Sequence, residues 1–402
     1  MACVGTGDAA HPTAGKGGGG FGGISGPDDP TPRECKGEKA RNIGVLPGGI
    51  YRAWGTAYNK KMKEHVGSGR MKAWKWAILC AALVGCALVA AALCRAPGER
   101  RMTVFAMDTV MEVRFTGGTA DTEARVRARL AELEEALSAQ EGEVYRLNQA
   151  GGGPAGADVL RVLTAGLTYA EQSGGKMDPA LGRLTALWDV NGAQPRVPDR
   201  KAIAAARERS GAKLVAVAGN EVALSGGVWL DFGGLGKGYA ADELRALFEA
   251  EGVEHALVSL GGNLLALGGR REGGPYRLGI RDPEGATGEV IGTFALAEGV
   301  VSTSGDYERY FEQGGRRYHH ILDPETGYPA LTDLASVTVV AEEGLYADFL
   351  STYLFILGKE KALETLGDWG AGIVLVDREG NVYAHEIEDL RLTKAGYRLA
   401  AE

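Results

Sequence analysis

Asp348 and Thr352 stand four residues apart in the segment Ala347-Asp348-Phe349-Leu350-Ser351-Thr352. On a helix that spacing turns both side chains to one face. A carboxylate and a hydroxyl are hard oxygen donors of the kind Mg²⁺ accepts, with a backbone carbonyl and phosphate oxygens completing its shell. The pair also has a structural use, since Asp348 can cap a helix start and Thr352 can bond back to a helix carbonyl.

Three other segments are too rich in glycine or polar groups for plain scaffold. Residues 230–242, LDFGGLGKGYAAD, carry an apolar strand into glycines 233, 234, 236 and 238, with Lys237 among them. Glycines let backbone approach a ligand closely, a helix start offers free N–H groups to phosphate, and Lys237 adds a point charge. A tight strand-to-helix turn would use the same residues. Residues 302–329 gather Ser304, Asp306, His319, His320, Asp323 and Thr326. A histidine beside Asp323 can accept a proton, because imidazole titrates near neutrality. Asp323-Pro324-Glu325-Thr326-Gly327 is equally a good β-turn. Residues 259–269, SLGGNLLALGG, read as a hairpin or bulge rather than a site. No Walker, HExxH or GxSxG motif occurs, and no compact histidine cluster suggests a transition metal.

The elements that must hold these residues read as mixed helix and strand. Val126, Leu130, Leu133 and Leu137 recur at helical spacing over 123–137, and further helices are predicted over 158–172, 199–209, 239–251, 347–357 and 359–366. Strands are predicted over 255–260, 264–267, 276–281, 290–296 and 336–340. Hairpins are expected where 214–217 and 221–224 flank Gly219-Asn220, and where 373–377 and 382–385 flank Glu379-Gly380-Asn381. Hairpins with interspersed helices predict an α+β fold with one catalytic-size domain over 102–402.

In this order the motifs resemble the ApbE family of FAD:protein FMN transferases. The resemblance runs from Met107-Asp108-Thr109 to about Leu357. It includes 177–190, MDPALGRLTALWDV, and is carried most specifically by LDFGGLGKGYAAD, YHHILDPETGYP and ADFLST. It implies a T-fold-related domain that uses Mg²⁺ to move FMN from FAD onto a Thr or Ser hydroxyl of a target protein, with AMP leaving. By the family pattern the metal ligands would be Asp348, Thr352 and the Gly234 carbonyl. Met107, Asp231, Lys237, Leu322 and Ser351 sit where the family contacts FAD, several through backbone. Leu187 and Trp188 would line the same cleft, Trp188 being equally suited to anchor a core. His320 holds the family's histidine position and is the candidate base, with Asp323 to orient it or to stiffen its loop. The target would carry a Ser/Thr-Gly-Ala-Thr-like motif and belong to a membrane redox complex. Gly285-Ala286-Thr287 echoes that motif but reads better as a turn. Two departures stand out: Asp108 replaces the usual glycine, and Gly236 a common alanine. A Mg²⁺-dependent FAD pyrophosphatase and a flavin-binding lipoprotein without turnover are the competing classes.

Composition sets the surroundings. The 402 residues carry a net charge of -8, which argues against nucleic acid as a partner. All five cysteines, of which the last is Cys94, precede residue 95, so the body has no thiolate metal site and no cysteine nucleophile. Residues 1–70 are Gly-rich without sustained period and read as disordered, or as an extension upstream of a true start at Met71. Residues 71–101 run basic, apolar, basic, and the uncharged stretch 76–94 would span roughly 28 Å as a helix. It reads as a signal-anchor, with Leu83-Val84-Gly85-Cys86 offering the alternative of a lipidated cysteine. Either reading expects a cell-membrane protein; the flanking charges leave its orientation open, and the family resemblance implies a catalytic domain on the extracytoplasmic face.

Overall fold

The computed structural model describes residues 98–400 and, before them, only Ile78. The lipobox-like cysteine, the Gly-rich segment and, apart from Ile78, the uncharged stretch 76–94 lie outside the described residues. Among the described residues no helix is long and apolar enough to cross a membrane.

The chain opens on a hairpin, β1 (Arg100–Ala106) and β2 (Thr109–Gly117), then three helices, α1 (Thr122–Leu137), α2 (Gly142–Ala150) and α3 (Ala157–Gln172), with β3 (Gly152–Pro154) between the last two. Next come α4 (Gly182–Trp188), α5 (Arg200–Glu208), β4 (Val215–Ala218), β5 (Glu221–Leu224) and α6 (Gly236–Glu251). Strands β6 (Val253–Ser259), β7 (Asn263–Leu267), β8 (Tyr276–Arg281), β9 (Val290–Leu296) and β10 (Gly299–Gly305) follow. A short hairpin, β11 (Tyr310–Gln313) and β12 (Arg316–His319), precedes β13 (Leu334–Ala341), α7 (Gly344–Leu357) and α8 (Lys359–Glu364). The chain closes through β14 (Gly372–Asp377), β15 (Asn381–His385), β16 (Arg391–Leu392) and β17 (Arg398–Leu399).

Nine strands form one sheet in the order β1-β2-β6-β7-β10-β13-β14-β15-β17, every neighbour pair antiparallel except β15 with β17. Its central strands are buried on both faces, and each face has its own apolar layer. On one side Leu265, Leu267, Val300, Val337 and Val339 pack with Leu244, Phe248, Phe349 and Leu350 of α6 and α7. On the other, Leu264, Ala266 and Val301 pack with Leu278, Ile280, Ile291 and Phe294 of the small sheet β16-β9-β8. The alternation is the two-residue period of a strand, so even positions of β10 face the helices. That places Ser302 and Ser304 beneath α7, in line with Val300.

Helices α6 and α7 cross at glycines. A Cβ built on Gly238 would stand 2.1 Å from the Gly344 carbonyl oxygen and 2.8 Å from the Asp348 Cβ. Backbone must therefore meet backbone there. Asp242 of α6 caps the start of α7, its carboxylate accepting from the Gly344 N–H at 2.5 Å and the Leu345 N–H at 2.9 Å. Gly238→Ala is expected to force the helices apart and to lower stability by about 1–3 kcal/mol, the range for overpacking. Thermal unfolding would register it as a clear fall in Tm; an unchanged Tm would mean the crossing is looser than described.

Candidate active site

The acid–alcohol pair stands on α7 facing β10. Asp348 is 4% exposed, and its Oδ2 accepts the Gly238 N–H at 2.8 Å. Its Oδ1 accepts the Ser302 hydroxyl at 2.9 Å. Below it runs a chain of hydroxyls: Ser351 Oγ lies 3.1 Å from Ser302 Oγ and 3.0 Å from Ser304 Oγ, and Ser304 Oγ lies 3.1 Å from Thr352 Oγ1. The Ser351 side chain is fully buried within this chain, so it braces α7 from behind and leaves any ligand contact of that residue to its backbone. Asp348 is thus neither an N-cap nor a surface acid.

The glycine segment arrives from the other side. A Cβ on Gly234 would stand 3.9 Å from Thr352 Oγ1, which sets the loop beside the α7 pair. Asp231 ties the loop into a turn: its Oδ1 accepts the Gly233 N–H at 2.7 Å, and its Oδ2 the Thr185 hydroxyl at 2.5 Å. Lys237 sits in the first turn of α6, its ammonium 3.5 Å from the Gly233 carbonyl oxygen. Met107 comes from the β1–β2 turn, with its Cε 3.0 Å from the Cβ position at Gly236. An alanine there would press on that methyl group, a reason for this chain to carry glycine. Met107 and Asp108 form the two central residues of the hairpin at φ 52° and 58°, the pattern of a type I′ turn. Aspartate tolerates that conformation better than most residues, so the turn keeps its shape without glycine at 108.

The histidine segment is joined to both through residues 176 and 177. The Met177 Cε lies 2.9 Å from the Cβ position at Gly234, and the Lys176 ammonium pairs with Asp323 at 3.2 Å and Glu325 at 2.7 Å. His320 is half-buried, and its Nδ1 lies 3.2 Å from the Arg309 carbonyl oxygen. A carbonyl can only accept, so that contact fixes the proton on Nδ1 and leaves Nε2 as an acceptor. Burial first, then the charges of Arg309 and Lys237, push His320 well below the ordinary imidazole range. It is therefore neutral at pH 7.

For several residues the fold selects between the uses that the sequence allows. Asp323 does not orient His320: its Oδ1 takes Lys176 and the Glu325 N–H, so it stiffens the turn. Trp188 anchors a core. It is buried, donates its Nε1–H to the Gly327 carbonyl at 2.8 Å, and packs on Tyr318, Phe311 and Tyr328. Leu322 belongs to the same cluster, with Leu187 half-buried against it, so these side chains shape the wall that holds the 320–328 turn. His319 is buried on Phe355, its Nε2 3.1 Å from the Ala330 carbonyl oxygen. Asp306 pairs with Arg378 and Arg317, and Thr326 is an exposed cap of the turn. Thr287 of the Gly-Ala-Thr segment is likewise exposed in the loop between β8 and β9. What the sequence reading missed in the floor of the site is Ser302 and Asn263, which join Gly238 and Met177 there. The alternating small polar residues of Val300-Val301-Ser302-Thr303-Ser304 were the available signal.

The model of the ApbE family matches residues 107–373, from the hairpin turn that carries Met107 to the start of β14. The chain belongs to the ApbE family. A FAD:protein FMN transferase of Treponema pallidum is 36% identical over 272 residues, covering 62% of this chain and 75% of the relative. One of Klebsiella pneumoniae is 34% identical over 269 residues, covering 64% and 77%. Among solved structures, the ApbE protein of Thermotoga maritima superposes with a TM-score of 0.68 at 32% identity, covering 72% of this chain and 97% of its own. The flavinyl transferase ApbE of Pseudomonas stutzeri gives a TM-score of 0.64 at 32% identity, covering 75% and 96%. Every element that builds the site lies within the family match.

Proposed function

We propose that this ApbE-family chain transfers FMN from FAD to a serine or threonine hydroxyl of an acceptor protein, with AMP as the other product. The observation that carries the reading is the meeting of the Asp348–Thr352 face with the Gly234 loop, at a site where a neutral His320 keeps Nε2 open.

The donor set fits one hard cation. Every proposed ligand atom is an oxygen, the donor type that a hard cation takes. The Asp348 carboxylate, the Thr352 hydroxyl and the Gly234 carbonyl are oxygen donors that leave room for phosphate oxygens. Held there, Mg²⁺ would neutralise non-bridging oxygens of the diphosphate. Lys237 adds a second positive charge at the start of α6. Both offset the acidity of the body, which would otherwise repel an anionic dinucleotide.

His320 takes the proton of the acceptor hydroxyl on Nε2 while Nδ1–H stays on the Arg309 carbonyl. The acceptor oxygen forms a bond to the phosphorus of the FMN half. The bond from that phosphorus to the bridging oxygen breaks, and the oxygen leaves with AMP. Nothing in these steps needs a redox partner.

The acceptor motif, a membrane redox-complex target and an extracytoplasmic site belong to the same proposal. They rest on the family resemblance and on the basic-apolar-basic run of residues 71–101. A single incubation tests the reading: FAD, Mg²⁺ and a protein carrying Ser/Thr-Gly-Ala-Thr, followed by intact-mass measurement and flavin chromatography. Covalent flavin on the acceptor with stoichiometric AMP is expected. Soluble FMN and AMP with an unmodified acceptor would make the enzyme a pyrophosphatase, and unchanged FAD would leave only binding.

A further inference from the structure

We propose that Asn263 is a positioning residue for the Asp348 carboxylate, acting through Ser302. Asn263 and Ser302 are direct cross-strand partners of β7 and β10, and both face α7. They are 2% and 1% exposed. The Ser302 oxygen has three polar neighbours: Asp348 Oδ1 at 2.9 Å, Ser351 Oγ at 3.1 Å and Asn263 Oδ1 at 3.4 Å.

A hydroxyl has one proton to give. The ionised, nearer carboxylate takes it, since hydrogen bonds to charged acceptors are the shorter and stronger ones. Asn263 Oδ1 then faces an oxygen with nothing left to donate, while Asn263 Nδ2 is buried with no hydrogen-bond partner. Amide oxygen and nitrogen exchange places when the group turns over. In the turned orientation Nδ2–H donates to the Ser302 oxygen and the orphaned donor is satisfied. The Ser302 proton is then committed to Asp348 Oδ1 and cannot swing to the amide. With the Gly238 N–H on Oδ2, the plane of the carboxylate is fixed from both sides. Each carboxylate oxygen keeps a lone pair for a cation.

The inference rests on the metal reading above, and its test separates the two. Mn²⁺ binding to the full chain is followed by electron paramagnetic resonance without FAD, and FAD binding is measured separately in the presence of a chelator. Asn263→Leu keeps the branched shape and removes the donor; Ser302→Ala removes the relay itself. Each variant should bind Mn²⁺ roughly tenfold more weakly, as loss of a ligand's supporting partner does. Metal-free FAD binding should be unchanged, and the double variant should be no weaker than Ser302→Ala alone, because both act on one path. Should Asn263→Leu fail to fold, Ser302→Ala decides. Mn²⁺ affinity within twofold of the native protein would overturn the inference, as would loss of metal-free FAD binding with Mn²⁺ affinity intact, which would put Asn263 on the dinucleotide. A native protein that binds Mn²⁺ no better than Asp348→Asn would remove the metal reading itself, and this inference with it.

Discussion

Asp348→Ala is expected to reduce Mg²⁺-dependent flavin transfer by roughly a thousandfold, equivalent to about 4 kcal/mol of lost charge stabilisation at the diphosphate. The residue supplies a buried carboxylate at the meeting of α6, α7 and β10, and the neighbouring acid of that crossing, Asp242, is spent on capping α7. Alanine also leaves the buried Gly238 N–H without its acceptor, at a cost of about 1–3 kcal/mol in stability. Asp348→Asn separates the two effects. It keeps the volume and an acceptor oxygen but lacks the charge, so it should unfold near the native temperature and still fail to turn over. Steady-state kinetics across a Mg²⁺ series, paired with thermal unfolding, gives both numbers. Near-native transfer in a folded Asp348→Asn would contradict the placement.

His320→Ala is expected to cost about 10²–10⁴ in transfer rate, the usual worth of a positioned general base, while FAD binding stays near native. In the same segment Asp323 Oδ1 is held by Lys176, and His319 is buried on Phe355. The pH profile carries a second signature. Burial and the Arg309 and Lys237 charges depress the His320 value, so its neutral, proton-accepting form persists as pH falls. The acidic limb of the rate profile should therefore lie below the ordinary imidazole range of ~6.5. Lys237→Met would remove one of the depressing charges and move that limb to higher pH. Equal loss of FAD binding and transfer in His320→Ala would make it a binding residue instead.

The parts of this fold that the sequence made legible are those with local causes. Helix α1 announces itself by Val126, Leu130, Leu133 and Leu137, all buried on one stripe. The β4–β5 and β14–β15 hairpins follow their Gly219-Asn220 and Gly380-Asn381 turns. The β1–β2 hairpin escaped notice because its turn is Met107-Asp108, without glycine. Strand β10 escaped because its polar serines obscure the apolar pattern. The site divides the same way. Asp348 with Thr352 is visible as a four-residue spacing, and Gly234 and Lys237 as a motif. The pairing of Asn263 with Ser302 is a register between two strands, and the Gly238–Gly344 crossing a meeting of two helices. Neither is written in any one segment. For Trp188 and Asp323 the sequence allows two uses each, since motifs also carry the residues that stiffen them; in the fold one anchors the small core and the other closes the turn.

The most direct test of the central claim is a crystal of this protein grown with Mn²⁺ and ADP, a stand-in for the diphosphate half of the dinucleotide, measured at the manganese edge. One anomalous peak is predicted between the Asp348–Thr352 face of α7 and the Gly234 loop, with the diphosphate beside it. A peak elsewhere, or a diphosphate bound away from α7, would contradict the account.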